Sequence, residues 1–404
     1  MKVLLLNDPR QPGYATLSGV HKYFYELVAA APAGVEYLFV NGDNHEGTKA
    51  RGKILRDNHE GTKARRGLGR FLPLSMRLLF GYCRDVLRMA RVLRSYRDKV
   101  DLLHVVAGGC EVAPIAAKLA GFPAVVDTVQ AMHGEDAGAD HWVRRLVERL
   151  CFRCSNYHIF VSDATRVSWE KRLRRTFPKS CTIYNAMQPP DFSQFDSMAY
   201  RRQFMTDPEN CFVIGICARL HHMKGHRVLI EAFAALIQNE FKINHKEHKE
   251  HKEKTLYLLI AGEGPERESI EAQVAGLPWE IAERIQLVGH REDPCFFVAC
   301  LDLHVMASTS IETIGYANIE AMFAGVPCIV SDVGGAKEIV RASGGGMVVP
   351  GGDVDALTVA MLEYAINQAR CERQGRAGKD YSNEHLTASV MAQKTLVVYG
   401  KVAG

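Results

Sequence analysis

Two glutamates, Glu312 and Glu320, stand eight residues apart in SIETIGYANIEAMFAGVPCIVSDVGGAKEIV (310–340), with Gly315 between them. The run from Tyr316 to Ala324 reads as a helix closed by Gly325 and Pro327. Glu320 then lies one turn inside that helix, flanked by Ile319, Ala321 and Met322, where a carboxylate needs a partner. Glu312 falls in the loop ahead of the helix and reads as mobile, and Gly315 lets backbone approach a ligand closely. A second pair, Arg219 and Lys224, sits in ARLHHMKGHRVLIEAF (218–233), where a strand ends and a helix begins. Free N–H groups and partial positive charge at a helix start, with two cations beside them, suit a diphosphate.

Other candidate chemistry is weaker. Asp353 and Asp355 form the chain's Asp-x-Asp, but they open the helical run VDALTVAMLEY, and capping explains them better than a metal. Cys151 and Cys154 make a CxxC inside VRRLVERLCFRC (143–154), with no second pair to complete a zinc site, so helix packing is the reading. The 11 cysteines are scattered through 404 residues, which reads as free thiols in a reducing compartment. MKVLLLND has too short an apolar run for a secretory signal, and no run approaches a membrane span. A cytoplasmic protein is expected.

The elements that hold these residues alternate throughout. Strand-like runs KVLLLN (2–7), VEYLFV (35–40), DLLHVV (101–106), PAVVDTV (123–129) and YHIFVS (157–162) are separated by amphipathic stretches. The pattern restarts with CFVIGICAR (211–219), TLYLLIAGEG (255–264), RIQLVGH (284–290), LDLHVMAS (301–308), CIVSD (328–332) and GMVVP (346–350). Such alternation implies two successive doubly wound parallel sheets, with ligands beyond the carboxyl ends of the strands. The proline-containing segment 186–210 reads as the linker.

Two segments look inserted. NHEGTKAR occurs at 44–51 and again at 58–65, and HKEHKEHKEK (245–254) fills a place where a loop of about 2–6 residues is usual. His245, His248 and His251 have a spacing compatible with metal, but a solvated low-complexity loop accounts for them. Charge is uneven. Residues 63–101 carry eleven lysines and arginines against three aspartates, and LSMRLLFGYCRDVLRMARVLRSY sets leucines and aromatics at helical spacing among the arginines. Such a helix over 74–97 suits either an anionic membrane surface or packing on its own domain. No zinc finger or aromatic RNA motif accompanies the charge, which argues against nucleic acid.

The chain resembles the retaining glycosyltransferases of the GT-B fold, family four. The resemblance rests on the Glu-x7-Glu pair followed by EAMFAGVP, the Gly-Gly loop and EIV, on ARLHHMKGHRVLIEAF, and on IAGEGPERESIE and LVGHREDPCFFVACLDLHVMAS. It is strong across about 211–352 and weaker over 1–195, where LSGVHKYFYEL, DTVQAMHGED, FVSDAT and TIYNAMQPPDF carry it. The first loop has Ser18-Gly19 where many members have Gly-Gly, and Asn185 is followed by alanine rather than glycine.

The resemblance implies two Rossmann-like domains facing a cleft. These are an acceptor-side domain (1–195, inserted at about 44–65), a nucleotide-sugar domain (196–382, inserted at about 243–254), and a last helix (383–404) packing back on the first. It implies that Arg219 and Lys224 hold the donor diphosphate, Glu320 the ribose, and Glu312 with the backbone at Ile314 and Gly315 the transferred sugar. His290 and Arg291 would meet the base through their backbone, Gly19 would let the first loop reach the phosphate, and His133 would contact the sugar near its reacting carbon. The catalytic set is then Glu312, His133, Arg219 and Lys224.

The expected reaction is hexosyl transfer from a UDP- or GDP-sugar to a glycan or lipid-linked acceptor. It would serve cell-surface polysaccharide or lipopolysaccharide synthesis, without metal or cofactor. A nicotinamide dehydrogenase would need a G-x-G-x-x-G after an early strand, and LLLNDPRQPGYATLSG lacks it. The alternative from another class is a degenerate GT-B protein that binds a ligand without turnover.

Overall fold

The computed structural model describes residues 1–7, 19–39, 73–107, 112–132, 141–244 and 254–403. His133, Ser18, the repeats at 44–65 and residues 245–253 of the second insertion lie outside the described residues. The chain divides into two compact units, Met1–Tyr184 with Ala388–Gly404, and Asn185–Thr387.

The first unit is a six-stranded parallel sheet of β1 (Lys2–Asn7), β2 (Glu36–Phe39), β3 (Leu102–Ala107), β4 (Val125–Val129), β5 (Tyr157–Phe160) and β6 (Ser180–Thr182), in the order β2-β1-β3-β4-β5-β6. Around it run α1 (Gly19–Ala29), α2 (Leu74–Arg94), α3 (Ala113–Ala120), α4 (Trp142–Cys154) and α5 (Asp163–Leu173). Helices on both faces leave the central strands with no solvent side, and every residue of β4 is buried. The apolar runs that mark strands in the sequence reflect this burial. Edge strand β6 escapes such a reading because it is three half-buried residues, paired to β5 through Ile159 and Cys181. Ser162 caps α5 by accepting from the Thr165 N–H at 3.0 Å. Cys151 of the CxxC is buried against Val86, Val143 and Val147, so it packs as a small hydrophobe.

The second unit holds β7 (Cys211–Cys217), β8 (Thr255–Ala261), β9 (Ile285–Gly289), β10 (Leu303–Met306), β11 (Cys328–Ser331) and β12 (Gly346–Val349). Their order is β12-β11-β10-β7-β8-β9, again all parallel, with β7 and β10 adjacent through Leu303↔Ile214 and His304↔Gly215. Strand order therefore reverses between β7 and β10, the position at which ligands of such sheets bind. Its helices are α6 (Ser197–Arg201), α7 (His226–Asn244), α8 (Arg267–Ala275), α9 (Trp279–Ala282), α10 (Pro294–Ala299), α11 (Tyr316–Ala324), α12 (Ala336–Ser343), α13 (Val354–Ala365) and α14 (Gln368–His385).

The segment read as a linker is built into this unit rather than lying free. In α6, Arg201 is buried, paired with Asp302 at 2.9 Å and donating to the Cys300 carbonyl at 2.5 Å. Asp353 caps α13 by accepting from the Ala356 N–H at 2.9 Å, the role its position suggests.

After α14 the chain rejoins the first unit as α15 (Ala388–Ala403). A buried polar chain fastens it there. The Tyr399 hydroxyl meets His104 Nδ1 at 2.7 Å, His104 Nε2 meets Thr128 Oγ1 at 2.7 Å, and Tyr23 reaches the same hydroxyl at 3.3 Å. Burial pushes His104 down to about 3, so its ring is neutral, with one nitrogen donating and one accepting. Among the described residues, no helix is long and apolar enough to cross a membrane.

Candidate active site

The two motif segments of the second unit meet at the strand-order reversal. Arg219 follows β7 and is exposed, while Lys224 ends the 3₁₀ turn His222–Lys224 just ahead of α7. Gly225 makes the turn possible. It has φ +70°, and a Cβ there would stand 1.7 Å from the Ala307 carbonyl oxygen. The β7 loop is thus pressed onto the chain leaving β10, and the Thr309 N–H donates to the Met223 carbonyl at 2.9 Å. Next to the cations, His226 adds no charge, because burial, with Lys224 nearby, pushes it down to about 4.

This contact carries Lys224 to Glu312. The ammonium Nζ lies 2.6 Å from Glu312 Oε2, and the Ser308 hydroxyl donates to the same oxygen at 2.9 Å. Glu312 is only 4% exposed. Its backbone is held as well, for the Gly335 N–H donates to the Glu312 carbonyl at 3.0 Å. A Cβ at Gly334 would stand 1.6 Å from that carbonyl oxygen. The loop read as mobile is therefore fixed at Glu312, because a buried carboxylate must be paired and the Gly-Gly loop packs directly on it.

Gly315 immediately precedes α11, and its added Cβ would lie 3.4 Å from Glu312 Oε1, so the loop backbone passes beside the carboxylate. Ile314 is fully buried, and its carbonyl accepts from Asn318 Nδ2 at 2.6 Å. Glu320 lies inside α11 at 3% exposure, one turn from the helix start as its spacing requires. α11 ends at Gly325, φ +79°, the terminus expected from Gly325 and Pro327.

The profile of the family described as "Glycosyl transferases group 1" matches residues 211–367, the stretch that holds all of this geometry. Over these residues the chain is similar to the group 1 glycosyltransferases. N-acetyl-alpha-D-glucosaminyl L-malate synthase of Bacillus anthracis is 24% identical over 317 residues, 77% of this chain and 76% of that protein. Phosphatidyl-myo-inositol mannosyltransferase of Mycobacterium leprae (strain TN) is 32% identical over 148 residues, 36% of this chain and 38% of its own. Among solved structures, Anabaena Alr3699/HepE in complex with UDP superposes with TM-score 0.71 at 18% identity, covering 99% of this chain and all of that one. That likeness establishes the GT-B fold, two Rossmann-like units.

Other expected site residues are placed differently. Gly19 opens α1 in the first unit, and His290 is an exposed residue following β9. The Arg291 side chain is already engaged. Its guanidinium donates to Asp293 at 3.1 Å and to the Tyr200 hydroxyl at 2.7 Å, and stacks over the Tyr200 and Phe204 rings. Ser308 is the site residue that sequence reasoning passes over. It ends the quoted run LDLHVMAS, but nothing in spacing or composition distinguishes a serine aimed at Glu312 from one that ends a strand.

Proposed function

We propose that this glycosyltransferase moves a hexosyl group, with retention of anomeric configuration and without a metal, from a UDP- or GDP-sugar. The acceptor is a glycan or lipid-linked molecule of cell-surface polysaccharide or lipopolysaccharide synthesis, met at the inner face of the cell membrane. The observation that carries the reading is the Lys224–Glu312 pair at the switch point, with Arg219 at the mouth of the same loop. A diphosphate entering there meets two cations and the start of α7. Lys224 turns from Glu312 toward the phosphates, and the carboxylate it leaves faces the sugar.

As the glycosidic bond breaks, charge grows on the diphosphate, and each cation at ~4 Å stabilises it by about 4 kcal/mol at an effective dielectric of ~20. Such stabilisation supplies what a divalent ion would otherwise provide. In this reading Glu320 takes the ribose hydroxyls and the Ile314–Gly315 backbone takes the sugar hydroxyls. The backbone at His290 and Arg291 meets the base. The names of the malate synthase and the phosphatidyl-myo-inositol mannosyltransferase support a small or lipid acceptor, and the UDP complex supports a uridine nucleotide in the donor.

Saturation-transfer NMR against UDP- and GDP-sugars identifies the donor. Proton NMR of the product formed from that donor, with and without EDTA, then tests the chemistry. Retained configuration at full rate in EDTA is expected. An inverted product, or activity lost to EDTA and restored by magnesium, sinks the mechanism, and donor binding without any turnover makes the chain a binding protein.

A further inference from the structure

Every residue of β10 is buried, yet His304 breaks its apolar run. Burial pushes the ring down to about 4, so it is neutral, with one nitrogen donating and one accepting. A neutral imidazole sealed from water calls for a partner at its N–H. The Asn318 side chain, on the first turn of α11, is the ring's hydrogen-bonding neighbour. Neither ring nitrogen has a tighter partner among the described residues, and Asn318 Oδ1 has none either. The amide oxygen is thus the acceptor left for the imidazole N–H. Strand β11 closes the pocket without charge. Cys328 stands in register with His304, and burial pushes its thiol up to about 12, so it stays protonated.

The other end of the Asn318 amide is committed. Asn318 is wholly buried, and its Nδ2 donates to the Ile314 carbonyl at 2.6 Å. Turning the amide over would set Oδ1 against that carbonyl oxygen, and Nδ2 against the imidazole N–H. His304 therefore enforces the orientation that Ile314 requires.

Peptide planarity carries this constraint one step further. The Ile314 carbonyl and the Gly315 N–H share one trans peptide and point in opposite directions. With the carbonyl drawn to Asn318, the N–H is turned the other way. The Asn318 N–H also donates to the Gly315 carbonyl at 3.1 Å, so both peptides of the turn are held. Gly315 touches both neighbours, since an added Cβ would lie 3.0 Å from Asn318 Nδ2 and 3.4 Å from Glu312 Oε1.

We propose that His304 and Asn318 are positioning residues for the ligand bound beside Glu312: acting through the Ile314 carbonyl, they aim the Gly315 N–H at it. The role rests on the donor-sugar reading of that ligand, although the relay of contacts does not. A polar pair that served the core alone would need no bond to a loop carbonyl. Leucines would fill the same space with no polar group to satisfy.

The relay is tested first without turnover, by NMR of the full chain carrying isotope-labelled histidine. His304, identified by the signal lost in His304→Gln, should show a neutral ring with one protonated nitrogen. That signal should move in Asn318→Leu. An unmoved signal overturns the pairing.

Kinetics and calorimetry then test the role. Asn318→Leu should lower kcat roughly five- to tenfold and weaken nucleotide-sugar binding, with affinity for the free nucleoside diphosphate unchanged. His304→Leu should act in the same direction more weakly, and it carries the test should Asn318→Leu fail to fold. The double variant should be no worse than Asn318→Leu, because the two residues act in one line. His304→Gln keeps an N–H donor and should recover most of the rate lost in His304→Leu. Additive losses, no rescue by glutamine, or equal weakening of diphosphate and nucleotide sugar would each overturn the proposal in favour of a packing role. A wild-type chain with no turnover sinks the donor-sugar reading and the positioning role with it, while the histidine signal still reports the pairing.

Discussion

Lys224 and Glu312 share an ion pair of 2.6 Å although 88 residues separate them, and each belongs to a loop leaving a different strand at the reversal of the sheet. The pair neutralises a buried carboxylate. In the proposed reading a diphosphate competes for the cation, so that binding donor and freeing Glu312 would be one event.

Removing the cation exposes this coupling. Lys224→Met leaves Glu312 buried with only Ser308 to satisfy it, so the second unit should lose about 1–3 kcal/mol of stability. Donor KM should rise at least tenfold. Lys224→Met/Glu312→Gln should recover most of the stability and none of the activity. Chemical denaturation with steady-state kinetics checks both, and a double variant no more stable than Lys224→Met would mean that the pair does not carry the effect.

The Ser308 hydroxyl donates to Glu312 Oε2 at 2.9 Å, so in the proposed reading it would act on the reaction through that carboxylate. Ser308→Ala removes one hydrogen bond to the Oε2 atom and leaves Lys224 as the carboxylate's partner, a change of about 1 kcal/mol. A serine that positions the carboxylate should cost several-fold in kcat with donor KM nearly unchanged, since its bond matters most when the sugar carries charge. A serine with only a packing role would shift the melting temperature and leave kcat alone.

The first unit should weaken in acid through His104. Its folded value of about 3 lies below the ordinary 6.5 because burial disfavours the charged ring. The unfolded chain therefore binds a proton that the folded one refuses, so stability is full above about pH 6.5 and falls as pH drops toward 3. The gap corresponds to roughly 5 kcal/mol as an upper figure. Unfolding followed by Trp169, buried in this unit, should show that slope, and a His104→Gln variant that keeps the Tyr399 and Thr128 contacts should flatten it. His226 and His304 titrate in the other unit and would not move this signal.

Much of this molecule is legible from residue order. Val125–Val129 reads as a strand because a sheet covered on both faces demands an unbroken apolar run, and Tyr316–Ala324 reads as a helix because Gly325 ends it. Ser180–Thr182 does not, since an edge strand of three half-buried residues has no pattern to show. The site was legible as two pairs but not as one ion pair: spacing along the chain reports which loop holds Lys224 and which holds Glu312, and only packing at Gly225 against Ala307 joins the loops.

The two glutamates should separate in kinetics. Glu320 sits inside α11. In the proposed reading it takes hydroxyls of a ribose that does not change during reaction, so its interaction would be equal in ground and transition states. Glu320→Gln should mainly raise donor KM. In the same reading Glu312 would face the sugar only once Lys224 turns to the diphosphate, and its negative charge would then stabilise the positive charge growing at the anomeric carbon. Glu312→Gln keeps the shape and the Ser308 contact while removing that charge, so kcat should fall about 10²-fold with modest change in KM. Calorimetric donor binding by both variants completes the comparison: weak binding with intact kcat for Glu312→Gln, and tight binding with low kcat for Glu320→Gln, would reverse the roles. The charge-keeping Glu312→Asp supplies the control, since it restores part of the rate only if charge, and not length, is what the reaction uses.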